Sequence, residues 1–370
     1  VPRIHTFGRR DSSALARASG TVLRARGSVT DLATNQIIRA GNRKGSNVSD
    51  QPPPFLILSD AVLSGMGIAT DDIVARINDA LQAQARGDVW SAPKAAMLPG
   101  DGRYMMTTLS SSDTPQMTVV KSVMVSPRNP ARGLNGVEGA ILLQDSETGD
   151  LLAIMQAGWV TTVRTAGLSC VAARALARPQ SQILGLVGAG QQARGHLVAL
   201  ADLFPLQQVR IFGRGQTNID RLSRMASDLG LTPVVCDTAR QVVEDADIVV
   251  SSVTLSYDAD PFVDARWLKA GAFAAITDAA TPWHREKMGA FGRIIIDDLE
   301  QERENPRKMV DPDLVQGDLA GLVGQGDQPR PDPDKPSAFV FRGMAIGDFA
   351  IASLAYEKAR ALNIGRSARW

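Results

Sequence analysis

Ile183-Leu184-Gly185-Leu186-Val187-Gly188-Ala189-Gly190-Gln191-Gln192-Ala193 is the stretch that decides the fold. Its first five residues form an apolar run of strand length. A Gly-x-Gly-x-x-Ala turn follows at once, and a helical pattern then runs through His196 to residue 201. Gly188 permits a tight turn, and Gly190 lets the backbone approach a pyrophosphate. Ala193 allows close packing of helix on strand. The helix start, with Gln191 and Gln192 in its first turn, offers free N–H groups and the positive end of a dipole to phosphate oxygens. Glycine turns also occur in α/β folds that bind no nucleotide. Here the strand before, the helix after and a second strand ending near residue 212 favour a dinucleotide site.

Downstream of the turn, apolar segments at 209–212, 247–251, 272–276 and 294–297 alternate with helical ones. Strands separated by helical crossovers predict a parallel, doubly wound sheet. Residues 318–337 are rich in Gly, Asp and Pro and read as a loop, and 346–362 reads as a helix returning to an earlier domain.

Upstream, 55–58 is a short strand, and Ser59 and Asp60 offer an N-cap. Ile73, Ile77, Ala80 and Leu81 recur at helical spacing over 71–86, with Gly87 as a stop. Segments 117–120, 122–125, 139–143 and 151–154 are strand-like, and the polar turn 145–150 predicts an antiparallel hairpin. An Ala- and Leu-rich helix is expected over 161–177, ended by Pro179.

The fold class is therefore α/β: a Rossmann-type doubly wound sheet over 179–337, beside an α+β domain over 54–178 to which 338–370 returns. Residues 1–53 read as an Arg-rich extension, packed on the body or on a partner subunit. Its scarcity of aromatic residues argues against a nucleic-acid tail.

Bulk composition narrows the function. The chain has 370 residues, 44% hydrophobic and 21% charged, as in ordinary globular proteins. A net charge of +1 gives no global field to draw in nucleic acid or an anionic membrane. No apolar run reaches membrane-spanning length, and the first residues show no signal-peptide pattern. The two cysteines, Cys170 and Cys236, have no metal-ligand spacing and fit a reducing cytoplasm, and three scattered histidines suggest no metal site.

The end of the second strand bears on the cofactor. NAD sites usually carry an acid there for the ribose hydroxyls. Here the residues are Phe212-Gly213-Arg214-Gly215. With the acid missing and Arg214 able to pair with a 2′-phosphate, NADP(H) is favoured and NAD(H) remains possible.

Three further segments, Gly149 to Ile154, Thr161-Thr162-Val163-Arg164-Thr165-Ala166 and Ala175-Leu176-Ala177-Arg178-Pro179, lead into the glycine turn. Together with it they resemble the ornithine cyclodeaminase/mu-crystallin family over residues 55–363. The resemblance implies a homodimer that binds a small amino or imino acid between a substrate domain and a dinucleotide domain. It implies that Lys94, Lys121 and Arg164 hold the substrate carboxylate, with Lys121 also catalytic. It places Thr165, Gly213 and Arg214 at the cofactor, and Ser252, Val253 and Thr254 on the nicotinamide side. Asp278 becomes the candidate proton donor or acceptor at the substrate nitrogen.

The residues allow blander roles. Lys121 fits a solvent-facing strand, Lys94 a surface loop, Arg164 a domain-junction salt bridge and Asp278 a strand-end cap. Arg164 is expected at a helix start capped by Thr161 or Thr162, where the dipole adds to its pull on an anion. Arg132, in a loop resembling the family's substrate domain, could meet a second carboxylate but fits a solvated loop better. A further acid that cyclodeaminases carry is absent, its region reading Arg103-Tyr104-Met105-Met106. That absence and Arg214 favour a reductase of a ketimine or cyclic imino acid, or the reverse amino-acid dehydrogenase. A cyclodeaminase that recycles NAD and releases ammonia is the alternative, and a non-catalytic, crystallin-like NADPH-binding protein is a third reading.

Overall fold

The computed structural model of the chain describes residues 53–255, 260–324 and 332–370, so all but the last residue of the N-terminal extension lies outside the described residues. Strands β1 (Phe55–Leu58), β2 (Val89–Ser91), β3 (Ala95–Met97), β4 (Tyr104–Asp113), β5 (Gln116–Val125), β6 (Val137–Gln144) and β7 (Leu151–Gln156) come first. They are followed by β8 (Ile183–Val187), β9 (Gln208–Phe212), β10 (Thr232–Val235), β11 (Ile248–Ser251), β12 (Phe273–Ile276), β13 (Arg293–Ile296), β14 (Val315–Asp318) and β15 (Ser337–Val340), with β16 (Arg366–Ala368) at the end. The α-helices are α1 (Asp60–Gly65), α2 (Thr70–Arg86), α3 (Ala157–Leu176), α4 (Gln191–Leu203), α5 (Gln216–Asp228), α6 (Ala239–Val243), α7 (Leu299–Glu304), α8 (Leu319–Gly324) and α9 (Ala345–Leu362).

The first sheet runs β16-β1-β7-β6-β5-β4-β2, with β3 also on β4, and is antiparallel except where β1 meets β7. Met117, Val119, Lys121 and Val123 of β5 are buried, alternating with more accessible residues as the strand pleat requires. The buried face packs on α3 and α9. α2 joins them through Ile73, Val74, Ile77 and Leu81, and Asp71 and Asp72 open it favourably for its dipole. Gly87 ends it at φ +83, a left-handed conformation that suits glycine.

The second sheet is wholly parallel, in the order β10-β9-β8-β11-β12-β15-β13-β14. From β8 the chain winds one way to β9 and β10, then the other way from β11 on. This reversal opens a crevice at the carboxyl ends of β8 and β11, where doubly wound sheets bind ligands. One core joins the first sheet, its helices and one face of the parallel sheet, and a second core covers the opposite face.

Three expectations need correction. α3 begins at Ala157, four residues before the expected start, because Asp60 Oδ1 accepts the Trp159 N–H at 2.8 Å. A carboxylate from α1 thus serves that end. Residues 337–340 form β15 inside the parallel sheet, so the chain returns to the first sheet's helices only after residue 340. The expected loop over 318–337 contains α8, and its residues 325–331 lie outside the described residues. No described helix is long and apolar enough to cross a membrane.

Candidate active site

Two adjoining clefts occupy the crevice. The first, about 650 Å³, is lined by Gly188 and Gly190 beyond β8, Gly213 and Arg214 beyond β9, and Ser252, Val253 and Thr254 beyond β11. Gly188 stands at φ +106, and a Cβ there would lie 2.7 Å from the Ser252 carbonyl oxygen. A Cβ on Gly190 would meet nothing within 4 Å, so its face is open. No side chain caps α4 at Gly190, which leaves its first-turn amides available to phosphate oxygens. Ser252 Oγ is buried and lacks a hydrogen-bond partner. An open backbone cradle, an uncapped helix start and an orphaned hydroxyl fit a dinucleotide. Arg214 is exposed at the rim. Gln191 and Ala193 line neither cleft, and Ala193 is fully buried, in keeping with a packing role.

The second cleft, about 670 Å³, shares Val253 with the first and is lined by Lys94, Tyr104, Met106, Thr161, Arg164, Thr165, Gln192, Asp278 and Phe341. The structure thus brings Lys94, Arg164, Thr165, Gln192 and Asp278 to one cavity. Thr165, expected at the cofactor, lines this cavity, and its Oγ1 donates to the Thr161 carbonyl at 2.7 Å. Arg132 is exposed and lines neither cleft.

Arg164 does not sit at a helix start. It lies two turns inside α3, where Thr162 Oγ1 donates to the Gly158 carbonyl instead of capping. The dipole argument for its anion affinity therefore fails, and its anchoring comes from tertiary contacts. Its Nε lies 3.1 Å from Asp348 Oδ1 without hydrogen-bond alignment, and its guanidinium carbon is 5.1 Å from the centre of the Phe341 ring. Its Nη1 is buried without a partner, as are Thr161 Oγ1 and Gln192 Oε1. Such groups are costly unless something binds them.

Lys94 Nζ donates to the Arg342 carbonyl at 3.1 Å and sits 6.0 Å from the centre of the Tyr104 ring. Asp297 Oδ2 steadies that turn by accepting from the Arg342 and Gly343 amides, at 2.9 and 2.7 Å. Burial pushes Lys94 down to about 8, with Asp297 opposing, and pushes Asp297 up to about 6 against its two amide donors.

Lys121 is not on a solvent-facing strand. It points into the core, fully buried, and it does not line the cavity. Its Nζ donates to Asp348 Oδ1 at 2.7 Å, an ion pair behind the cavity wall. Burial, then Arg164, push Lys121 down to about 8, with Asp348 opposing. Burial also works against the charge on Asp348, but Lys121, Arg164 and Thr108 outweigh it and hold that carboxyl below its ordinary value. Sequence reading missed Asp348. Its signal was an acid set among apolar residues in the expected 346–362 helix.

Asp278, beyond β12, accepts from Ser251 Oγ at 3.1 Å and from the Val253 amide at 3.2 Å. Burial outweighs these bonds and pushes it up to about 7, a value suited to holding or giving a proton near neutrality. His196 joins the two helices at the crevice, bonding the Gln192 carbonyl and Ser169 Oγ, and burial keeps it neutral with a pKa of about 4. No metal-binding cluster of His, Cys, Asp or Glu occurs among the described residues.

Comparison with known proteins agrees with this architecture. The chain is 27% identical over 322 residues to an alanine dehydrogenase of Archaeoglobus fulgidus, covering 84% of this chain and 97% of that one. It is 28% identical over 223 residues to the ketimine reductase mu-crystallin of Mus musculus, covering 60% and 69%. Its fold matches the Δ(1)-pyrroline-2-carboxylate reductase of Thermococcus litoralis, solved with NADH and L-proline, at a TM-score of 0.76 and 24% identity, covering 85% and 100%. An archaeal alanine dehydrogenase dimer with bound NAD matches at 0.75 and 23% identity, covering 86% and 100%. The sequence profile of the ornithine cyclodeaminase/mu-crystallin family spans residues 59–363, and this chain belongs to that family.

Proposed function

We propose that this protein is an NAD(P)H-dependent reductase of a small ketimine or cyclic imino acid, or in reverse an amino-acid dehydrogenase. One observation carries the reading. Arg164, whose buried Nη1 has no hydrogen-bond partner, lines a cavity that meets the dinucleotide cleft at Val253. A carboxylate held by Arg164 and Lys94 would satisfy that donor through charge-assisted bonds and fix a substrate beside the cofactor. Relatives named alanine dehydrogenase, ketimine reductase and pyrroline-2-carboxylate reductase support the chemistry.

A reduced nicotinamide bound in the first cleft supplies hydride. Lys94 and Arg164 hold the carboxylate, and Asp278 gives a proton to the imine nitrogen. Met106 and Phe341 exclude water from the C=N bond. The π bond breaks, carbon gains hydride and nitrogen gains the proton. NADPH is the favoured donor. Gly213-Arg214-Gly215 carries no acid, and Gly215 precedes α5 without a side-chain cap, so a 2′-phosphate would meet a guanidinium and open amides. Solved neighbours carry NADH or NAD, which keeps NAD(H) as the alternative.

A homodimer through the first sheet is part of the proposal. Leu109, Val120, Leu142, Ile154 and Ile57 are register neighbours in one row across the face turned away from the helices. Leu109 and Leu142 are 42% and 39% exposed, as expected of a surface that a second copy covers.

The test is a panel of cyclic and linear imino acids assayed with NADPH and NADH side by side. NADPH consumption with an imino acid is the expected result. Ammonia release from ornithine or lysine without net redox change would replace it with the cyclodeaminase reading. Coenzyme binding without any turnover would leave a binding protein.

A further inference from the structure

Building on the reductase reading, we propose that Asp348 is the positioning residue that aims Arg164 at the substrate carboxylate. Asp348 Oδ1 lies 2.7 Å from Lys121 Nζ and 3.1 Å from Arg164 Nε, and Oδ2 accepts from Thr108 Oγ1 at 2.9 Å. One carboxylate on α9 thereby joins β4, β5 and α3.

The rest of Arg164 is confined from other sides. The Phe341 ring covers its guanidinium at 5.1 Å, and Gly347 packs beside its stem, where a Cβ would lie 3.4 Å from Arg164 Cδ and 2.9 Å from Leu168 Cδ1. Neither Nε nor Nη1 has a hydrogen-bond partner, and the residue lines the cavity. Gly343 marks the space in front of it. A Cβ on Gly343 would lie 3.6 Å from both Arg164 Nη1 and Lys94 Nζ, so a small gap stands open between the two cations.

Charge explains why an acid belongs behind this wall. Lys121 and Arg164 are both buried, and without Asp348 their charges would repel and drive the guanidinium away. With it, the three groups carry a net single positive charge, and Arg164 presents it at the cavity wall. Thr108 fixes the carboxylate's rotation, so its charge stays beside Nε.

The experiment compares the full-length chain with its Asp348→Asn and Thr108→Val variants. Steady-state kinetics use Δ(1)-pyrroline-2-carboxylate with NADPH, NADPH affinity is read by fluorescence, and crystal structures locate Arg164. Asp348→Asn is expected to raise KM about tenfold or more, with a smaller fall in kcat and an unchanged NADPH affinity. Thr108→Val is expected to raise KM in the same sense by about threefold, and it carries the test if Asp348→Asn does not fold. In the variant crystal, Arg164 is expected to leave the cavity wall. An unchanged KM with a lowered kcat, which a merely structural role would give, overturns the proposal. So does an Arg164 that keeps its place. If the native chain reduces no imino acid, the reductase reading fails, while the position of Arg164 still decides the role of Asp348.

Discussion

Asp278→Asn isolates the cost of a buried carboxyl, and its effect on stability should change with pH. In the unfolded chain Asp278 titrates near 3.8, and burial raises it to about 7 in the fold. Below the lower value both states are protonated and burial costs nothing. Between the two, the fold keeps a proton that the unfolded chain has released, so the native protein loses stability as pH rises, and above about 7 the loss levels off. About three units at 1.36 kcal/mol each make this penalty about 4 kcal/mol at full extent. Asparagine carries no such penalty, but it can present only one acceptor oxygen to Ser251 Oγ and the Val253 amide, which costs about 1–2 kcal/mol at every pH. The variant should therefore be less stable than the native chain near about pH 4 and more stable near about pH 8 by about 2 kcal/mol. Urea unfolding of both proteins across that range, followed by tryptophan fluorescence, gives the difference directly. A difference that stays constant to within about 1 kcal/mol would refute the reasoning, because Asp278 would then titrate alike in both states.

Gly188→Ala forces a methyl to within 2.7 Å of the Ser252 carbonyl at a φ of +106, and it should weaken coenzyme binding at least ~100-fold, as read by nucleotide fluorescence. Retained affinity would remove the glycine turn from the site. Arg214→Ser should raise the KM for NADPH about tenfold and leave that for NADH unchanged. Equal effects on both would count against a 2′-phosphate contact. Leu142→Glu places a charge in the apolar row of the first sheet and should shift the protein to monomers in sedimentation velocity. An unshifted dimer would place the interface elsewhere.

Much of the architecture was legible because its signals are local. An apolar strand, a glycine turn and a helix face each declare themselves within a dozen residues, and β8, α4, α2 and α9 appear close to where the pattern put them. The start of α3 was not legible, since the carboxylate serving it lies 99 residues away in α1. β15 was also hidden, because insertion between β12 and β13 is a matter of long-range pairing.

The amino-acid order by itself settled the parallel sheet, the turn at Gly188 and the lack of an acid after β9, all consequences of backbone conformation and residue type at near neighbours. Only the tertiary structure decided what the charges do. Lys121 reads as an interruption of a strand until the fold sets Asp348, 227 residues on, at 2.7 Å from it. Asp278 reads as either a strand-end cap or a proton donor, and its protonation near neutrality appears only once burial raises it to about 7. Electrostatic energy depends on distance and on the surrounding medium, and both are set when remote segments pack together.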